Sequence, residues 1–168
     1  MTRFIVFLSD KVTDVAKFLL GACIAAIVLV TVAAVLWRYV LDNPLSWIEQ
    51  VSNMIFIWVV FIGSAVLYRQ NLHIGVDMFL DMLSEKNRAI WKWVIELGNL
   101  FFIVVLFVCS LKLTIDVLPN TAGALDISPA YYYASAPIAC LMMMLYFLEK
   151  VVDPAKRVPF GEAGTGEF

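Results

Sequence analysis

Charge is the scarcest commodity in this chain. Asp, Glu, Lys and Arg make up 15% of 168 residues, against 62% hydrophobic residues, and mean hydropathy is +0.88. Soluble domains run nearer a quarter charged and half apolar, and a soluble core of this size could not bury so much apolar surface. The twelve Lys and Arg form no basic run and the net charge is −2, which excludes a nucleic-acid partner. Histidine is almost absent. One residue, His73, rules out a two-histidine haem site within one chain and argues against zinc; a local bond to Asp77, four residues on, is its expected role. The three cysteines, Cys23, Cys109 and Cys140, make no CxxC, fall in apolar stretches and read as small buried hydrophobes. No catalytic, metal or cofactor-binding residue is identified, so no cofactor is expected and the chain is not read as an enzyme. "LLGAC" (Leu19–Cys23) fails as a lipoprotein cleavage site, and the first apolar run is too long and starts too late for a cleaved signal peptide.

What is present is grease in four runs, about Val15–Val40, Trp47–Tyr68, Ile90–Ile115 and Pro129–Leu148. Each reaches the roughly 20 apolar residues that a helix needs to cross a bilayer. A barrel strand would alternate, whereas these runs are continuous. The fold class is therefore all-α integral membrane, with four transmembrane helices in a single domain over residues 1–152. Residues 153–168, rich in Gly and Pro, read as a disordered tail. Ten of the twelve basic residues lie around the start of the first run, around the connection between the second and third, or after the fourth; Arg38 and Lys112 alone lie toward the other two connections. The positive-inside rule then predicts N-in/C-in, both termini and the middle loop cytoplasmic. Trp37, Tyr39, Trp47, Tyr68, Trp91, Trp93 and Tyr131–Tyr133 near run ends suit membrane interfaces. Gly21 and Ala25, one turn apart, suggest close helix packing.

The polar residues cluster outside the runs. Met78, Phe79, Met82 and Leu83 share one helical face, and Asp77, Asp81 and Glu85 recur at i, i+4, i+8. That pattern predicts an amphipathic interfacial helix on the cytoplasmic side between helices 2 and 3, serving as a strut or a partner contact. Its acids do not favour anionic lipid headgroups. Lys92 with Glu96, and Lys112 with Asp116, are i, i+4 pairs expected to neutralise one another near the headgroups. Asn99 reads as helix–helix glue and Pro137 as a modest kink in the fourth helix. No run carries an ionisable residue near its middle, where a self-sufficient pump or transporter normally needs one. Asp42, Asn43 and Pro44 form a turn, and Ser46-Trp47-Ile48-Glu49 has the S-x-x-E form of a capping box. Arg38, Glu49 and Asn53 are open to either reading, turn builders or contacts for a partner.

Three stretches, "RYVLDNPLSWIEQ" (Arg38–Gln50), "IWVVFIGSAVLYRQNLHIGVD" (Ile57–Asp77) and "ISPAYYYASAPIA" (Ile127–Ala139), occur in this order with four spans. Together they resemble the small membrane subunit of tripartite ATP-independent periplasmic (TRAP) transporters. Family members often have a second acid after Trp-x-Glu, where this chain has Gln50, so a role needing paired carboxylates is not expected. The resemblance implies a multi-pass subunit of the bacterial inner membrane, surrounded by lipid and paired with a large permease subunit. It also implies a sodium gradient as driving force and a soluble periplasmic binding protein that delivers an organic acid such as a C4-dicarboxylate, keto acid or sialic acid. The small subunit would act as a non-catalytic scaffold and help dock the binding protein. Candidate partner contacts are Arg38, Trp47, Glu49, Asn53, Asp77, Met78, Phe79, Asp81, Met82 and Glu85. The competing reading is a self-contained small four-helix transporter.

Overall fold

The computed structural model describes residues 2–42, 46–70 and 85–152, with the side chains of Thr2, Phe4, residues 85–90, Lys92 and Trp93 left aside. The interfacial helix expected around Asp77, Met78, Phe79, Asp81 and Met82, together with His73, Asn43, Pro44 and the tail, lies outside the described residues. Glu85 enters only as the first residue of a helix. The chain forms α1 (Thr2–Tyr39), α2 (Trp47–Arg69), α3 (Glu85–Asp116), a one-turn α4 (Ala130–Tyr133) and α5 (Ser135–Val152). Among the described residues, four spans, with α4 and α5 forming the last, are long and apolar enough to cross a membrane.

The first helix begins thirteen residues before the apolar run that announced it. Its 38 residues extend about 57 Å at 1.5 Å per residue, well beyond a hydrocarbon core of about 30 Å. The extension has a packing cause. Ser9, Thr13, Ala16 and Leu20 recur at helical spacing on one face; Ser9, Thr13 and Ala16 are buried, and Leu20 packs beside Ala16 against α2. Close approach therefore occurs there, and Leu20 Cδ2 lies 3.9 Å from where a Cβ on Gly63 would be. It does not occur at Gly21, where an added Cβ would meet nothing within 4 Å, and Ala25 is exposed.

The last helix is the hub. Helices α1, α2 and α3 all pack on α5, and α1 also packs on α2, while among the described residues α1 and α3 do not touch. Small residues on the inner faces, Ala65 of α2 and Ala136, Ala139 and Cys140 of α5, let the backbones come close. Tyr68, Ile103 and Tyr146 complete the main cluster, with Met142, Met143 and Met144 filling around it. Cys140 is the buried small hydrophobe the sequence predicts, but Cys109 faces outward from α3 and Cys23 is half-buried. Tyr68, expected at an interface, is instead core. Outward faces are strongly apolar, with Phe18 77% and Phe101 73% exposed. That exterior is what a bilayer requires and water would penalise.

The expected kink at Pro137 takes another form. Helix breaks at Ala134, between α4 and α5, and Pro137 falls in the first turn of α5. A proline there removes an amide that has no helical partner, and its ring excludes a continuous helix through residue 133. Ser135 Oγ donates to the Tyr132 carbonyl at 2.7 Å, satisfying one acceptor at the break.

Candidate functional sites at the two ends of the bundle

Arg69, the last residue of α2, is the centre of the first site. Its Nε and Nη2 donate to the two carboxylate oxygens of Glu149 on α5 at 2.9 and 2.8 Å. Nη1 donates to Thr13 Oγ1 of α1 at 2.8 Å, and Nη2 also pairs with Asp10 of α1. Thr13 Oγ1 donates to the Ser9 carbonyl at 2.8 Å and meets the Tyr146 hydroxyl at 3.0 Å. The Tyr146 ring lies 5.4 Å from the guanidinium carbon, within cation–π range. One planar fork thus binds two helices and ties them to its own, a task for which Lys lacks the geometry. Burial is graded, with the Glu149 side chain 7% exposed, Arg69 18% and Asp10 49%.

A second pair adjoins it. Lys150, next to Glu149 on α5, pairs with Glu96 of α3, and its ammonium lies 5.8 Å from the Tyr68 ring. Successive residues on α2 (Tyr68, Arg69) and on α5 (Glu149, Lys150) thereby serve two neighbouring networks, and all four long helices are tied at one end. Glu96 therefore has a tertiary partner fifty-four residues away, and the side chain of Lys92, its expected local partner, lies outside the described residues. None of Asp10, Arg69 and Glu149 was among the candidate contacts. A faint signal existed: an acid immediately after the fourth run and an Asp–Thr pair one turn apart ahead of the first.

The second site lies at the other end of α2, about 29 Å away by helix rise. Gln50 organises it. Its Nε2 donates to the Ala122 carbonyl at 3.0 Å, and its Oε1 accepts from the Leu125 amide at 3.0 Å. The segment so gripped is a tight turn closed by an isolated bridge between Ala122 and Ile127. Gly123 (φ 83°) and Asp126 (φ 50°) supply its left-handed residues, and a Cβ at Gly123 would collide with the Gln50 amide. Ser128 Oγ donates to the Val117 carbonyl at 3.0 Å and accepts from the Ala130 amide at 3.2 Å. Trp58 Nε1 donates to the Tyr131 carbonyl at 3.0 Å. A glutamate at position 50 could accept but not donate, so the amide of Gln50 has a structural use here.

Between α2 and this turn lies a concavity of about 440 Å³ lined by Ser46, Glu49, Gln50, Asn53 and Ile57 on one side and residues 122–124, Pro129, Tyr132 and Tyr133 on the other. Of the expected contact residues it brings Glu49 and Asn53 together. Trp47 is exposed outside it, and Arg38 is exposed in the last turn of α1, stacked at 5.9 Å on its neighbour Tyr39. The capping box does not form. Ser46 has helical φ and ψ (−65°, −23°) and makes no side-chain cap bond, because an N-cap needs extended backbone for its oxygen to turn back on the helix. Glu49 is exposed, and its carboxylate makes no ion pair or hydrogen bond among the described residues. No cluster of three or more His, Cys, Asp or Glu suited to a metal occurs among the described residues.

Four apolar spans tied by polar networks at their ends define a multi-pass membrane protein. The chain belongs to the family described as "Tripartite ATP-independent periplasmic transporters, DctQ component", which it matches over residues 27–157. It is thus a TRAP small permease subunit. The sialic acid TRAP transporter small permease protein SiaQ of Vibrio cholerae is 22% identical over 86% of this chain and 84% of its own length. The C4-dicarboxylate TRAP transporter small permease protein DctQ of the same species is 26% identical over 58% of this chain and 42% of its own. The sialic acid TRAP transporter permease protein SiaT of Haemophilus influenzae is 26% identical over 82% of this chain but only 22% of its own length. This chain thus spans less than half of two of these relatives.

Proposed function

We propose that this chain is the scaffold subunit of a sodium-driven TRAP transporter for organic acids in the bacterial inner membrane. In this reading it stabilises a large permease subunit and offers the Gln50 end to a soluble substrate-binding protein, with both termini in the cytoplasm. One observation carries it. Residues 18–37, 50–68, 97–111 and 130–148 contain no ionisable side chain other than Tyr and Cys, while the buried charges at the Arg69 end are paired within the fold. A transporter of charged substrate by itself would place an ionisable group near the membrane midplane. The match to part of the much longer SiaT permease supports association with further permease sequence. The names SiaQ and DctQ make sialic acid and C4-dicarboxylates the first substrates to try.

The test is reconstitution. The chain, a large permease and a binding protein are combined in liposomes under a sodium gradient. Uptake of a labelled organic acid that needs all three supports the reading. Substrate-dependent transport by this chain alone would establish the self-contained transporter instead.

A further inference from the structure

We propose that the concavity between α2 and the 122–133 segment receives a basic side chain, Lys or Arg, from the surface of the soluble binding protein, with Glu49 as its counter-ion. The inference rests on the docking role proposed above and names its chemistry.

Glu49 and Asn53 are one helical turn apart on the face of α2 that lines the concavity. Glu49 contributes a carboxylate that, among the described residues, neither caps the helix nor pairs with another side chain. The Gln50 amide is already committed on both atoms to Ala122 and Leu125, so it braces the wall instead of binding a ligand. The Asn53 carbonyl and the Ser46 hydroxyl are further acceptors, and the rings of Tyr132 and Tyr133 form the far side. A carboxylate beside amide, hydroxyl and aromatic faces is a receptor for ammonium or guanidinium. Among the described residues, no basic side chain lines the cavity.

The surrounding end of the bundle has the same sign. Its charged residues are Asp42, Glu49, Asp116 and Asp126 against Arg38 and Lys112. An acidic rim around an acidic pocket steers a basic surface patch toward it and repels an acidic one. The wall is also fixed in advance by Gln50, Ser128 and Trp58, so docking need not order it.

The experiment measures association of the binding protein with the assembled small and large subunits in nanodiscs. Glu49→Gln should weaken docking about tenfold, and Glu49→Lys more, with the effect shrinking as salt is raised. Reversal to Glu of one surface Lys or Arg on the binding protein should restore docking to the Glu49→Lys complex. Thermal unfolding and recovery of the large subunit serve as controls and should not change. Wild-type docking that Glu49→Lys leaves intact overturns this proposal and leaves the docking role standing. Loss of the large subunit from Glu49→Lys would also overturn it, by assigning the pocket to the permease. Absence of any wild-type docking would remove the docking role itself.

Discussion

Arg69 and Glu149 are eighty residues apart in the chain and share two parallel hydrogen bonds of 2.9 and 2.8 Å. The pair joins the end of α2 to the end of α5, and through Asp10 and Thr13 it also takes in α1. Breaking a desolvated pair by removing one partner leaves an uncompensated charge. Glu149→Ala should therefore cost about 3 kcal/mol in unfolding measured in detergent micelles. The double variant Arg69→Met/Glu149→Leu should cost less than either single truncation, since it removes both buried charges and leaves only the half-exposed Asp10. A double variant worse than both singles would show that the network contributes more than charge compensation.

At the other end, Gln50→Glu retains an acceptor for the Leu125 amide but sets a carboxylate against the Ala122 carbonyl. A loss of about 1–2 kcal/mol is expected, with faster hydrogen exchange at Leu125. Unaltered exchange there would remove Gln50 from its bracing role.

Ser46 separates two accounts of the start of α2. A capping box would make Ser46→Ala cost about 1 kcal/mol, whereas the structure, with no side-chain cap bond, places the change within about 0.5 kcal/mol. Thermal unfolding of the purified subunit decides between them.

Topology can be read chemically. In a background with Cys23, Cys109 and Cys140 replaced, Asp126→Cys should react with a membrane-impermeant maleimide added outside spheroplasts. A cysteine at Lys11 should react only after lysis. The opposite pattern would invert the orientation derived from the basic residues.

Much of the architecture was legible in composition alone. Long uncharged runs can satisfy their backbone in lipid only as helices, so span number and type follow from hydropathy. The start of α1 and the break at Ala134 were not legible that way. Both depend on tertiary partners: Thr13 and Ala16 are ordered by α2 and α5, and Pro137 acts through the turn before it. The S-x-x-E pattern at Ser46 was misleading because a cap depends on backbone angles, which the pattern does not specify.

The sequence by itself determined that this chain is four apolar helices with their charges at the ends, since lipid tolerates no other arrangement of these residues. Which charges meet was decided only by the tertiary structure. Arg69 reads locally as one more basic loop residue and Gln50 as a missing acid. Packing of α2 parallel to α5 and of α1 antiparallel to it makes the first a three-helix clamp, and the 122–127 turn makes the second a brace. Such pairings arise between residues many positions apart, and no local pattern encodes them.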